Sequence, residues 1–420
     1  MKILLQRINI DALHKGVISL LLLSAALTMR PSFLGEILTP VALILAMAAL
    51  SYAMLMRVRV DSNLLKKNLL IAGSVVLLWV YLSIHSLLLG GKQVEFLVKG
   101  VLVIPTLMFV FAWLLSSPEL NLRFFRGLVW IFIAVTFSYL ITILLAVPFS
   151  LDYLFLFHIE SKFYDDKWGG IYFPFTASYG VTKLFEISFF RFPGVFREAG
   201  IFQAFIVWAY LSLASLKMEK WWIRALLLVA LVGTFSTAGV IVFFAALLLK
   251  AIFIDHELSS IRGIIKFGLL SVPLSLLAIG MLLYAPVFGL LDKMEKSSAS
   301  IDDRMEGTLA GLNGFMDNPL GIGIYNSANI DNVGINLISS LYSIGIVGAI
   351  LIMLVFVVTL LVRRSMSERK LFALLMLPFA MTWLFSQPFI ESPLIFIMLM
   401  QWIEHADVTN SHVFKRLSVR

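Results

Sequence analysis

Apolar runs of about 20 residues recur along this chain, separated by short stretches rich in lysine and arginine. A helix of that length crosses the hydrocarbon core of a bilayer. Lipid offers no partner for a bare peptide group, so an isolated crossing segment must satisfy its own backbone, as a helix does. About twelve runs are expected as spans, near residues 16–29, 37–56, 69–89, 96–115, 127–149, 199–216, 221–235, 238–254, 264–290, 335–362, 371–385 and 388–403. Hydrophobic residues make up 60% of the chain and charged ones 14%. Soluble domains carry about a quarter charged residues, so this composition cannot clothe a water-facing surface. The expected fold class is all-α: one polytopic membrane helix bundle over residues 1–420.

Charge placement gives an orientation. Residues 2–15, 57–67, 123–126, 217–224, 250–266, 363–370 and 415–420 hold about two thirds of the 33 lysines and arginines, and that side is expected to be cytoplasmic. Both termini then lie inside. The net charge of +8 is thereby explained by topology, and no nucleic-acid partner is expected. The first run ends in Met29-Arg30-Pro31, without a small-x-small cleavage site, and is expected to be a retained span. The chain has no cysteine, which excludes disulfides, a thiolate nucleophile and a Cys-ligated metal. None of its six histidines has H-x-x-x-H spacing, which excludes a zinc-protease site. No metal and no cofactor are expected.

Two long loops interrupt the pattern, at about 150–198 and 291–334, both on the extracytoplasmic side. The first is too aromatic to be disordered. It is expected to lie on the membrane surface, with short interfacial helices. The second should hold a helix over 305–316, from the spacing of Leu309, Leu312, Phe315 and Met316, capped by Asp302 or Asp303. A turn-rich segment, Asn318-Pro-Leu-Gly-Ile-Gly-Ile-Tyr-Asn326, follows. The tail 405–420 is short and basic and should lie against the inner leaflet.

The candidate site residues lie in these loops. Arg191-Phe-Pro-Gly-Val-Phe-Arg-Glu-Ala-Gly-Ile-Phe-Gln203 sets Arg191, Arg197 and Glu198 at the mouth of an apolar run, on the side where cations are rare. A guanidinium pairs bidentately with phosphate oxygens and stays charged, so the two arginines suit a pyrophosphate; the bland alternative is snorkelling to headgroups. Glu198 reads either as a base or as a brace for an arginine. Arg304 opens the second-loop helix, where Asp302, Asp303 and Glu306 offer it local ion pairs. Lys183 is a weaker cation candidate. His158 is the one histidine in either long loop. It is therefore the imidazole available for base work there, unless it is simply interfacial. His85, inside the third span, reads as a satisfied bundle histidine. Gly321 and Gly323, with Tyr325 and Asn326, form a re-entry turn or part of a binding loop. Asp165-Asp166 lacks a metal-binding frame and reads as a solvated face.

Residues 192–202 resemble the G-x-F-x-E-P-G segment of bacterial O-antigen and exopolysaccharide polymerases of the Wzy type, with Ala199 in place of the proline. Phe235-Ser-Thr-Ala-Gly-Val-Ile241 is similar to their S-T-x-G turn. Arg304 with Asn318-Pro-Leu-Gly-Ile-Gly323 is similar to the R…P-x-x-G-x-G stretch that these polymerases share with O-antigen ligases. The resemblance covers three short segments and the layout of spans and loops. It implies a GT-C-like, metal-independent glycosyltransferase that moves a growing glycan from polyprenyl (undecaprenyl) pyrophosphate to another lipid-linked repeat unit. Donor and acceptor would both be lipid-linked oligosaccharides, with a chain-length regulator and a flippase as protein partners. Arg191, Arg197 and Arg304 would neutralise the leaving pyrophosphate, with Lys183 assisting. Glu198, then His158, would take the acceptor proton, and Gly321, Gly323, Tyr325 and Asn326 would bind substrate. Two other readings compete. A ligase transferring glycan to lipid A–core resembles these enzymes, but its second outer loop carries a histidine, which 291–334 lacks. A flippase or transporter would show broken helices, internal repeats and charges at mid-membrane.

Overall fold

The computed structural model describes residues 2–29, 38–90, 94–158, 170–184, 187–196, 198–254, 299–326, 336–386 and 392–402. These are mostly helical. The first group comprises α1 (Lys2–Leu27), α2 (Leu38–Leu55), α3 (Ser62–Leu88), α4 (Val94–Val98), a π-turn (Lys99–Val103), α5 (Ile104–Leu114) and α6 (Pro118–Leu154). After five strands come α7 (Ala199–Ser212), α8 (Trp221–Gly233) and α9 (Thr237–Phe253). The last described group is α10 (Ala299–Asp317), α11 (Leu337–Leu361), α12 (Met366–Phe385) and α13 (Pro393–Met398).

Three helices are long and apolar enough to cross a membrane: α3, α6 and α11. Shorter apolar helices, among them Thr39–Leu55, Ala199–Ser212 and Thr237–Phe253, complete the bundle, α2 on α1 and α5, and α7 and α9 on each other and on α12. The twelve expected spans thus reduce to three that meet the length requirement among the described residues, and the run at 264–290 lies outside those residues. Side-chain patterning fits lipid outside and protein inside. Along α11, Ile346, Ile350, Met353, Val357 and Leu361 form an exposed apolar stripe at helical spacing. Such a stripe would be a liability in water. The opposite face of α11 buries Ser339, Ser343, Gly348 and Thr359, small residues that let helices approach closely. Likewise Ala42, Ala46, Ala49 and Ala53 form the buried face of α2, which packs on α1 and α5.

The capping chemistry follows the sequence. Asp61 accepts the amides of Asn63 and Leu64 at 2.8 and 2.9 Å to start α3. Pro118 occupies the first turn of α6, where its missing N–H is harmless. Ser236 starts α9 after a tight joint with α8, as the Ser236–Gly239 stretch predicts. At 37 residues, α6 is about 55 Å long, well beyond a bilayer core of about 30 Å. It kinks at Ser150, which has φ 62°.

The first long loop corrects one expectation. In place of interfacial helices it carries β1 (Phe155–His158), β2 (Gly170–Tyr172) and β3 (Thr176–Ala177) in one antiparallel sheet, and the hairpin β4 (Tyr179–Leu184) with β5 (Ile187–Arg191). Aromatic and β-branched residues fit a pleated, half-buried surface. The sheet also finds polar anchors on α6: Thr142 Oγ1 donates to Phe173 O at 2.7 Å, and Ser138 Oγ and Thr176 Oγ1 lie 2.9 Å apart. In the second loop α10 begins at Ala299, so Asp302 and Asp303 lie inside the helix and do not cap it.

Candidate functional site

The basic clusters at residues 57–67, 123–126, 217–224 and 363–370 fall at the same end of the bundle. There Arg126 Nε donates to Leu216 O at 2.6 Å, and Arg363 reaches the carbonyls of Leu399 and Gln401 at 3.1 and 3.2 Å. The described parts of both long loops lie at the opposite end, at the far ends of α3, α6 and α8.

One set of candidates is seated on an aromatic stack. Arg191 closes β5, and its Nε donates to Thr234 O at 3.3 Å. Thr234 is the C-cap of α8, so this cation meets the negative end of a helix. The next amide, Phe192 N, bonds Gly233 O at 2.9 Å. Phe192 stacks on Tyr139 at 4.3 Å, and Phe196 on Phe205 at 4.4 Å. Gly194 makes the turn between them at φ +61°, where a Cβ would stand 2.7 Å from the Phe202 ring. Glu198 is the half-buried N-cap residue of α7, and its carboxylate does not take the capping bond. Arg197 lies outside the described residues. Lys183 sits on β4 opposite Ser188, its side chain outside the described set. His158 ends β1 opposite Gly170, with Nε2 buried and unpartnered.

The second set is built on a broken helix. In a regular α11 the amide of Ile346 would bond Tyr342 O. Here it bonds Pro319 O at 2.9 Å. Tyr342 O and Ser343 O instead accept from Ile322 N at 3.0 Å and Gly323 N at 2.9 Å. The break is at Gly345, φ 66°, and a Cβ there would overlap the Leu320 carbonyl. Gly321, φ +84°, has room for a Cβ only at 2.5 Å from Gly345 N. The two glycines therefore let two backbones touch within the bundle. The segment is also fixed to α3, since Tyr325 N bonds Ser86 Oγ at 3.1 Å and Asn326 Nδ2 bonds Leu89 O at 3.2 Å. Arg304 stands on α10, whose Gly311 packs against Ser339 of α11, and Asn336 Nδ2 joins the two at Thr308 Oγ1, 2.9 Å. The Arg304 side chain lies outside the described residues.

This joint includes residues outside the set of candidate site residues. His85 is a bundle histidine satisfied only in part. It is half-buried, its ring stacks on Tyr81 at 5.2 Å and hydrogen-bonds the Leu320 main chain, and Nδ1 is buried without a hydrogen-bond partner. Ser343 Oγ is likewise unpartnered. Lys99 stands in the π-turn beside Gly100, where a Cβ would overlap Ser83 Oγ half a turn before His85. Charge and π-turns in an apolar wall both mark functional positions. The usable signal in the sequence was a lone cation and a His-Ser pair toward the outer ends of adjacent apolar runs.

The structure thus places two groups of candidates at one end of the bundle. Arg191 on β5 is tied to the end of α8 and Glu198 starts α7, while Gly321, Gly323, Tyr325 and Asn326 are held on α3 and α11. Among the described residues no cluster of three or more His, Asp or Glu is arranged to hold a metal ion. The unspent atoms suit hydrogen bonding and proton transfer, and the cations suit an anionic substrate. Comparison with protein-family models, curated proteins and solved structures finds no match.

Proposed function

We propose that the chain is a polysaccharide polymerase of the bacterial cytoplasmic membrane, with about twelve spans, both termini inside and its site on the outer face. It transfers a glycan from undecaprenyl pyrophosphate to a second lipid-linked repeat unit. The acceptor hydroxyl oxygen bonds the anomeric carbon, the carbon–oxygen bond to pyrophosphate breaks, and the hydroxyl proton passes to a base. Arg197, Arg304 and Arg191 neutralise the charge that grows on the leaving group, aided by Lys183 and Lys99. Glu198, His158 and His85 are the bases within this set. The observation that carries the reading is the joint of Gly321–Gly323 with the break in α11. Its main chain is locked beside His85, and α10, which bears Arg304, packs on the same helix.

The test is a polymerisation assay with purified lipid-linked repeat unit. Wild type should give laddered product without added metal and without lipid A–core. Arg197→Ala and Arg304→Ala should each abolish long product at normal protein levels; full-length polymer from both would overturn the clamp. The break in α11 also favours a second reading, a lipid-linked oligosaccharide flippase, because transporters place substrate at discontinuous helices. Protease- or lectin-monitored translocation in proteoliposomes, with no change in glycan length, would favour that reading.

A further inference from the structure

The basic end of the bundle, away from the loops, holds a cavity of about 780 Å³. Three helices begin on it: α3 through Asn63, α6 through Pro118 and α12 through Glu368. Each helix start carries about half a positive charge. Asp61 caps α3 and Ser365 caps α12, but the side chain of Ser117 leaves α6 uncapped. Helices also end here, and their negative ends are covered. The buried Arg363 donates to Thr359 O and to the carbonyls of Leu399 and Gln401. Its guanidinium lies 3.4 Å from the Phe372 ring centroid. Burial pushes Arg363 down to about 9, opposed by Glu368, so it stays charged at neutral pH.

The carboxylates around the cavity are engaged. Asp61 is the cap, Glu119 pairs with Arg123 at 2.6 Å, and Glu368 accepts the Arg364 amide at 3.0 Å. The cations are more open. Lys67 lies over the Trp402 ring at 4.7 Å with no ion pair among the described residues, although the field of Glu368 reaches it. Lys217 is exposed, with no side-chain partner in that set. Gln401 uses Oε1 for Trp208 Nε1 at 2.9 Å and keeps Nε2 buried without a partner. What the cavity offers unspent is donors and positive charge, which an acceptor-rich anion satisfies.

We propose that this cavity binds a phosphate-bearing anion, held by Lys67, Lys217 and the open start of α6. The phosphate arrives either on a lipid headgroup or on a soluble molecule. The full chain is purified in neutral detergent and in phosphatidylcholine nanodiscs with and without phosphatidylglycerol. Melting temperature is read for wild type, K67Q, K217G and the double variant. Position 217 has φ +54°, which glycine adopts freely, so K217G removes the charge while relaxing the backbone. It therefore carries the test even if K67Q misfolds. A rise with inorganic phosphate in detergent identifies a soluble phosphate; a rise with phosphatidylglycerol alone identifies a headgroup. K217G should raise the half-saturating phosphate about tenfold, or remove most of the lipid shift, and the double variant should abolish the response. The proposal is overturned if neither probe shifts the wild type, or if K217G and the double variant respond as the wild type does.

Discussion

The two ends of the bundle are fastened differently. At the basic end side chains reach across helices to carbonyls that lack partners where a helix stops. Asn121 Nδ2 bonds Leu115 O at 3.0 Å and Met400 O at 2.8 Å, Arg126 bonds Leu216 O, and Arg363 bonds three carbonyls. Trp402 Nε1 adds a bond to Asn68 Oδ1 at 2.7 Å. At the opposite end the second loop is held by main chain on main chain at the break in α11 and by Ser86, Asn326 and Asn336 beside it, and His85 Nδ1, Ser343 Oγ and His158 Nε2 keep their capacity unspent. Among the described residues the comparable atoms at the basic end are Ser212 Oγ and Gln401 Nε2, and Gln401 lines the cavity. A buried polar atom without a partner costs about 1–3 kcal/mol. The difference between the ends is therefore one of fastening: side chains on helix-end carbonyls at one, backbone contacts with unspent side-chain atoms at the other.

The largest effect should come from Gly345→Ala, which strikes the main-chain lock. At φ 66°, ψ −179° an alanine costs about 1–3 kcal/mol, and its Cβ cannot share space with Leu320 O. The three bonds from Ile322, Gly323 and Ile346 would then be lost or strained, at about 1 kcal/mol each. We expect a loss of about 4 kcal/mol or more, seen as a lowered melting temperature in detergent, and no polymer. A melting curve matching wild type would mean that side chains, not the backbone, hold the second loop.

Arg363→Met is next and tests the other end. It leaves the carbonyls of Thr359, Leu399 and Gln401 buried without their donor, a loss of about 3 kcal/mol. Because Arg363 lies far from the outer groups of candidates, the protein that remains folded should keep its polymerising activity. Specific activity measured on the monodisperse fraction checks this. A fall in activity larger than the fall in folded protein would show that the two ends are coupled.

Much of the scaffold was legible because a membrane imposes a simple rule. Apolar length and the basic loops place α3, α6 and α11, and they put both long loops at one end. The strands in the first loop were not legible, because the same aromatic residues suit an interfacial helix and a half-buried sheet. Their choice depends on Ser138 and Thr142 of α6, far back in the chain. Gly345 hid for another reason. Glycine is frequent in membrane helices, and the partners that make it indispensable are Leu320 and Gly321, which belong to a different element. The role of Ser86 was further out of reach, since its contact Tyr325 is 239 residues away. Arg191 was found by its expected side of the membrane, but its tie to Thr234 O could not be read from charge.

The smallest effect on stability should come from His85→Asn, and it tests the comparison most directly. The imidazole stacks on Tyr81 at 5.2 Å but has an unpartnered Nδ1. Losing the stack and the bond to the Leu320 main chain costs about 2 kcal/mol, and no Nδ1 hydrogen bond is lost with it. Asparagine keeps a polar group at the joint but cannot accept and return a proton at neutral pH. If His85 works on the substrate, product should fall about a hundredfold or more while the melting temperature falls less than in Arg363→Met. Glutamate at the same position should then restore part of the product, because a carboxylate can take the proton. A drop in melting temperature as deep as that of Arg363→Met, with product falling only in step, would make His85 one more fastening and erase the difference between the two ends.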